Sequence, residues 1–142
     1  MIKRLEKADI SSIINLQTNC DFTDGWNEQM LVSAFDNRFV AFGFYVDNLL
    51  KGFIGIDTGL YEYEIESVLV DKECRRQGIA KKLLNQAIML AKENAIESVF
   101  LEVRKNNLPA INLYCEAGFN QIGERKGYYP DGENAIILKK EI

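Results

Sequence analysis

Hydrophobic and polar positions follow one another along this chain in two rhythms, and each rhythm predicts an element. "IKRL" reads as a short opening strand. "DISSIINLQ" then places Ile10, Ile13 and Ile14 at helical spacing behind Asp9, a candidate N-cap. "GWNEQMLVSAF" predicts a second short helix beginning near Asn27. Three strands follow, "RFVAFGFYV", "LLKGFIGIDTGL" and "EYEIESVLV", joined by tight turns, the first at "DN". The longest helix is predicted over Gly78 to Asn94, with Ile79, Leu83, Ala87, Leu90 and Ala91 along one face. "SVFLEV" has the β-branched, apolar character of a buried strand. Asn107 caps a helix over "LPAINLYCEA", where Pro109 is tolerated in the first turn and Gly118 ends the run. "NQIGERK" and "NAIILKK" form a closing strand pair around "GYYPDGE". The order β-α-α-β-β-β-α-β-α-β-β predicts an α+β fold, a mixed central sheet of about seven strands flanked by about four helices. Residues 1–142 are expected to form one domain with its ligand crevice at the strand ends.

Composition narrows the chemistry. With 47% hydrophobic and 27% charged residues the chain has the make-up of a folded domain. Its longest uncharged apolar stretch, Phe39 to Val46, is too short to cross a bilayer. "MIKRLEKADI" lacks a signal-type apolar segment, so a cytoplasmic address is expected, with no membrane contact. A net charge of −4 argues against nucleic-acid binding and suits a cationic partner. The three cysteines, Cys20, Cys74 and Cys115, have no close pairing and predict neither a disulfide framework nor a zinc site. There is no histidine, which removes Ser-His-Asp and Cys-His nucleophiles and most catalytic zinc sites; no metal is expected. Acid–base chemistry falls to Asp, Glu, Tyr, Lys or Cys.

One stretch stands apart, "DKECRRQGIAKK". Helix N-termini expose unpaired N–H groups and the positive end of the helix dipole, and small residues let a phosphate approach the backbone. Gly78 and Ala80 are such residues, ringed by Arg75, Arg76, Lys81 and Lys82. The plain alternative is a basic helix start. Neither the Walker pattern nor the dinucleotide fingerprint fits, since there is no GK[ST] and no G-x-G-x-x-G.

Arg75-x-x-Gly78-x-Ala80 after a strand resembles the pyrophosphate loop of the GNAT superfamily of acetyl-CoA-dependent N-acetyltransferases. The resemblance covers nearly the whole chain, including "NNLPAINLYCEAGF". Within the superfamily, "LEVRKNN", "AINLYCEAGF" and "GYYPDGENAIIL" are similar to the bacterial ribosomal-protein alanine N-acetyltransferases (RimI type). The resemblance implies a GNAT fold and acetyl-CoA as cosubstrate. It implies that "SVLV" splays from its neighbour, so that backbone groups of Val68, Leu69 and Val70 face coenzyme A. Arg76, Gln77, Gly78, Ile79, Ala80 and Lys81 would then hold the pyrophosphate, and Asn107 would add a hydrogen bond.

Two residues carry the implied chemistry. Glu102 lies in the apolar run "VFLEV", where an ionised carboxylate is costly. The residues alone leave open a proton acceptor or a structural ion pair with Arg104, two positions along on the same face. The resemblance implies the general base. Tyr114 is by itself either a packing tyrosine or a phenol donor with a pKa near ~10; the resemblance implies the proton donor to the leaving thiolate. Glu62, Glu64 and Glu66 alternate onto one strand face, with Glu66 the next candidate base or amine attractor. Trp26, Tyr128 and Tyr129 are candidate acceptor contacts, each equally explained by packing or a turn. Ser67 stands where the subfamily commonly has asparagine, and "DGENAIIL" is shorter than usual. The expected acceptor is the N-terminal α-amine of a protein such as a ribosomal protein. The alternatives are a small-molecule amine and a coenzyme A-binding module without catalysis.

Overall fold

The computed structural model describes residues 1–20 and 25–142. The chain runs β1 (Ile2–Arg4), α1 (Ile10–Asn19), α2 (Glu28–Phe35), β2 (Phe39–Val46), β3 (Leu49–Thr58) and β4 (Glu62–Val70). It continues with α3 (Ile79–Glu93), β5 (Ser98–Arg104), α4 (Leu108–Glu116), β6 (Asn120–Arg125) and β7 (Ala135–Glu141). The seven strands lie in one sheet, ordered β1-β2-β3-β4-β5-β7-β6. Only β4 and β5 run parallel among the described residues. The expected order and α+β class are what the chain adopts.

Local chemistry sets the boundaries. Asp47 and Asn48 both take positive φ, at 50° and 65°, the geometry a two-residue hairpin needs. Asn27 Oδ1 accepts from the Met30 N–H at 2.8 Å, and Asn107 Oδ1 accepts from the Ala110 N–H at 3.3 Å, so both asparagines cap their helices. Asp9 stands at the N-cap position of α1 as expected, with its side chain turned to another use. Its side chain accepts from the Glu6 N–H at 2.8 Å, closing the short 3-10 turn Lys7–Asp9 before α1 rather than capping α1 itself.

Each face of the sheet buries its own core. Helices α3 and α4 cover one face, where Leu83, Leu84, Ala91, Leu101 and Phe119 are almost fully buried. Helices α1 and α2 cover the other through Ile13, Leu16, Leu31 and Phe53. A side chain of the Leu or Phe class buried this way contributes about 1.5–3 kcal/mol, so strand alternation decides which residues face which core. No helix of the described residues is long and apolar enough to cross a membrane.

Two irregularities in β4 make the site. Gly55 of β3 faces Ser67 while Ile56 faces Ile65, so Glu66 is an extra residue, a β-bulge. Gly55 is required there, because a Cβ would lie 2.5 Å from the Phe39 ring. The bulge resets alternation: Tyr63 and Ile65 point to the α3/α4 face, and so do Val68 and Val70 beyond it. The second irregularity is the end of pairing. β4 pairs with β5 only from Glu62↔Ser98 to Ile65↔Leu101, while β5 stays paired to β7 through Arg104. Past Ile65 the two strands part, leaving a slot through the sheet.

Candidate active site

The slot opens into a cleft of about 490 Å³ that meets both faces. On the α3/α4 side it is lined by Val68, Asn107, Ala110 and Tyr114. On the α1/α2 side it is lined by Trp26, Glu64, Glu66, Glu102, Tyr128 and Tyr129. Tyr114 and Glu102, on different elements, are thus brought to one cleft.

Beside the slot, the segment between β4 and α3 is held by its own side chains. Asp71 is buried, accepts from the Glu73 N–H at 3.0 Å and meets the Lys51 ammonium at 3.4 Å. Arg75 Nε donates to the Val70 carbonyl at 3.3 Å, so this arginine stabilises the loop it belongs to. Arg76 takes φ +64° and Gly78 φ +78°. A non-glycine residue at positive φ marks stored strain, and at Gly78 a Cβ would meet no protein atom within 4 Å. The glycine is therefore dictated by backbone conformation, and the space in front of it is open. Ile79 is buried and fixes the start of α3 on the sheet, while Arg76, Gln77 and Lys81 are exposed around that opening. Residues Val68–Val70, with no β5 partner, and this helix start fit a phosphate-bearing, extended ligand; its donor set is backbone and cations rather than metal-binding side chains.

Tyr114 is 7% exposed and packs edge-on against Phe119, 5.9 Å between ring centroids. Burial, with a smaller contribution from nearby Tyr129, pushes its phenol up to about 12. It is therefore a neutral O–H throughout the physiological range.

Glu102 does not pair with Arg104. Its Oε2, buried, faces Arg125 Nε at 3.0 Å in a charge contact rather than an aligned hydrogen bond. Arg104 instead turns to the β6–β7 loop, reaching Asp131 at 2.8 Å and Glu133 at 2.9 Å. Both side chains share a face as expected, but each finds a partner from β6 or beyond, invisible to spacing along β5.

The acidic side holds what sequence reasoning ranked second. Oxygens of Asp57, Glu64 and Glu66 lie within 4.8 Å of one another. Burial pushes the Glu64 carboxyl up to about 7, and the charges of Glu66, Glu102 and Asp57 push the same way against Arg125. Glu66 is also raised, by burial and Asp57, with Arg38 opposing. Glu62 departs from the trio: it accepts from Ser98 Oγ at 2.6 Å and pairs with Lys139 at 2.8 Å, which holds its carboxyl below the usual range. Alternation alone puts all three on one face; the end of the parallel ladder separates Glu62 from the cleft.

Two aromatic walls are set by Gln17 and Arg104, neither of which sequence reasoning assigned to that task. The buried Gln17 amide donates to the Trp26 carbonyl at 2.8 Å and accepts from the Trp26 N–H at 2.9 Å, and Trp26 packs on Phe39 at 5.3 Å. Tyr128 and Tyr129 meet edge-on at 5.1 Å, and the Arg104 guanidinium lies 4.1 Å above the Tyr129 ring. A glutamine in an apolar helix face was the available signal for the first; nothing local marked the second.

A family model described as "Acetyltransferase (GNAT) family" matches residues 8–119. The chain belongs to the GNAT acetyltransferase family. It is 30% identical to the [ribosomal protein bS18]-alanine N-acetyltransferase of Escherichia coli (strain K12), over 99% of this chain and 97% of that one. The crystal structure of the Escherichia coli ribosomal-protein-alanine N-acetyltransferase superposes with a TM-score of 0.94 at 30% identity, covering 100% of this chain and 93% of that chain. An uncharacterized protein of Mycobacterium leprae (strain TN) is 34% identical over 99% of this chain, which spans 40% of that longer protein. The chain is thus an N-acetyltransferase by family, and the GNAT fold expected from its motifs is the fold it has.

Proposed function

We propose that residues 1–142 act as one cytoplasmic domain that moves an acetyl group from acetyl-CoA to the N-terminal α-amine of a protein. A ribosomal protein is the substrate class named for the Escherichia coli relative. The observation that carries this reading is the slot between β4 and β5. It joins an open, cationic helix start on one side to an acidic, aromatic-walled half-cleft on the other.

Bound acetyl-CoA supplies an activated thioester. The chain's part is to hold it, using backbone groups of Val68, Leu69 and Val70, residues Arg76–Lys81 at the pyrophosphate and Asn107 at the edge of the cleft. Glu102 and Glu64 form the proton-accepting side. Resemblance assigns the base to Glu102, while Glu64 has the proton affinity suited to neutral pH. Tyr114 is the proton donor in this reading. Burial keeps its phenol a neutral O–H, and the same burial raises the proton affinity of a thiolate formed beside it, so the phenol can donate to the sulfur as charge develops there.

Protonation favours an α-amine as acceptor. Its pKa of about 7.7–8.0 leaves a useful free-base fraction at neutral pH, against well under about 1% for a lysine near about 10.4. The Glu64 carboxyl, pushed up to about 7, suits the first. A peptide beginning with alanine should be acetylated faster than the same peptide N-terminally blocked but bearing lysine. Mass spectrometry that located the acetyl group on lysine, or turnover only with small free amines, would overturn the N-terminal reading.

A further inference from the structure

We propose that Arg104 is a positioning residue, holding Tyr129 as the wall of the acceptor half of the cleft. The proposal rests on the reading that the acidic side of the slot receives the amine.

The loop between β6 and β7 needs such a device. It spans residues 126–134 and contains Gly127 and Gly132 at positive φ, 61° and 89°. Connections of this kind are mobile unless tied down. Its closing end is fixed through Asn134: the Lys105 N–H donates to its carbonyl at 3.0 Å, and the Gly127 N–H donates to its side-chain Oδ1 at 2.9 Å. Its tip closes on itself, the Tyr129 N–H donating to the Glu133 carbonyl at 3.2 Å and the Gly132 N–H to the Tyr129 carbonyl at 2.8 Å, and is anchored to the sheet from β5. Arg104 Nη1 donates to Asp131 at 2.8 and 3.1 Å and to Glu133 at 2.9 Å, with its guanidinium plane over the Tyr129 ring. Arg104 and Glu133 are mostly buried, at 23% and 16% side-chain exposure, so this pair is little screened, whereas Asp131 is open to water at 63%.

One cation joins these contacts: Nη1 meets both carboxylates while the guanidinium carbon lies 4.1 Å from the Tyr129 ring centroid, and a compact, strongly hydrated ammonium replaces the carboxylate contacts better than the ring contact. Tyr129 and Tyr114 line the same cleft. One side chain on β5, two residues beyond Glu102, thus ties the loop wall to the strand that carries the proposed base.

A double-mutant cycle tests this, run on whichever amine the wild-type protein acetylates fastest. Failure of the N-terminal reading then shows as peptide inactivity and leaves the cycle measurable. Arg104→Gln should raise the acceptor KM roughly tenfold while the acetyl-CoA KM stays within about twofold. In a Tyr129→Ala background the same change should add less than about twofold, since its effector is gone. Arg104→Lys should recover only part of the loss. Should Arg104→Gln fold poorly, the loop-side variant Asp131→Asn with Glu133→Gln should reproduce the KM rise with β5 untouched. Losses that multiply across the cycle, or a fall confined to kcat, would overturn the proposal.

Discussion

The two halves of the cleft are built by opposite means. The side toward α3 is assembled from consecutive residues: a strand edge left bare past Ile65, a strained turn at Arg76 and Gly78, and a helix start. Its polar groups are mostly backbone, and its charges are basic and exposed. The side toward α1 and α2 gathers Trp26, Asp57, Glu64, Glu66, Glu102, Arg104, Arg125 and the 128–133 loop. Its groups are side chains, acidic and crowded enough to shift each other's protonation. A ligand with a fixed phosphate can be met by fixed main chain, which tolerates little sequence change. An acceptor is met by side chains, which vary one at a time. The halves should therefore fail differently when altered.

The largest effect should come where the halves meet. Tyr114→Phe and Glu102→Gln should each lower kcat by roughly 10²–10⁴-fold with little change in acetyl-CoA affinity. Near-normal turnover in Glu102→Gln, with chemistry rate-limiting, would move the base to Glu64. The Arg125 contact on Glu102 makes that a sharp question, since the guanidinium already stands against one of its two carboxylate oxygens.

Next is the donor side. Ala80→Glu places an acid in the first turn of α3, which suits the helix dipole and leaves folding intact. Against a pyrophosphate it costs several kcal/mol of like-charge juxtaposition. Coenzyme A affinity by calorimetry should weaken by roughly a hundredfold or more, with the acceptor KM little changed. Unchanged affinity in the folded variant would remove Arg76–Lys81 from the site. Gly78→Asp is the less clean variant, because φ +78° strains any side chain whatever it touches.

The same contrast explains what the sequence disclosed. The strand–loop–helix unit was legible because its determinants are contiguous: strand, Arg75-x-x-Gly78-x-Ala80, then an amphipathic helix. Element order was legible because turns and caps are local, as at Asp47–Asn48 and Asn107. Asp9 sits at the N-cap position of α1 as expected, but its side chain serves the 3-10 turn just before the helix, a use the same residue type suits equally. The acidic half of the cleft was partly hidden. That Glu102 meets Arg125, and Arg104 the 131–133 loop, depends on β7 lying between β5 and β6, which no spacing along β5 reports. Glu64 outranks Glu62 as a cleft residue because the parallel ladder ends at Ile65, a tertiary fact.

A pH profile probes the acidic half directly. With the Glu64 carboxyl near 7, kcat/KM should rise through about pH 7 as it ionises, beneath any rise due to the acceptor amine itself. Glu64→Gln should remove that lower limb and leave the amine's. A limb that persists unchanged would assign it elsewhere.

The smallest expected effect is on stability, and its sign is the unusual part. Glu64 is held by half-burial and by Glu66, Glu102 and Asp57, with Arg125 opposing, so that its folded-state pKa lies above the ordinary value of 4.5, at about 7. Between those two values the native protein binds more protons than the unfolded chain. Stability therefore falls as pH rises through that window, and the penalty is complete above about 7. This is the reverse of a salt-bridged carboxylate. Glutamine imitates the protonated form, so Glu64→Gln should stabilise the protein at pH 8. Because the group is half exposed, solvent screening limits the gain to about 1 kcal/mol. For a chain of this size that is a rise in Tm of about 2–4 °C. At pH 4, where both side chains are neutral, the two proteins should melt together. A variant that melts lower than wild type at pH 8 would mean that Glu64 is a structural partner rather than a strained acid.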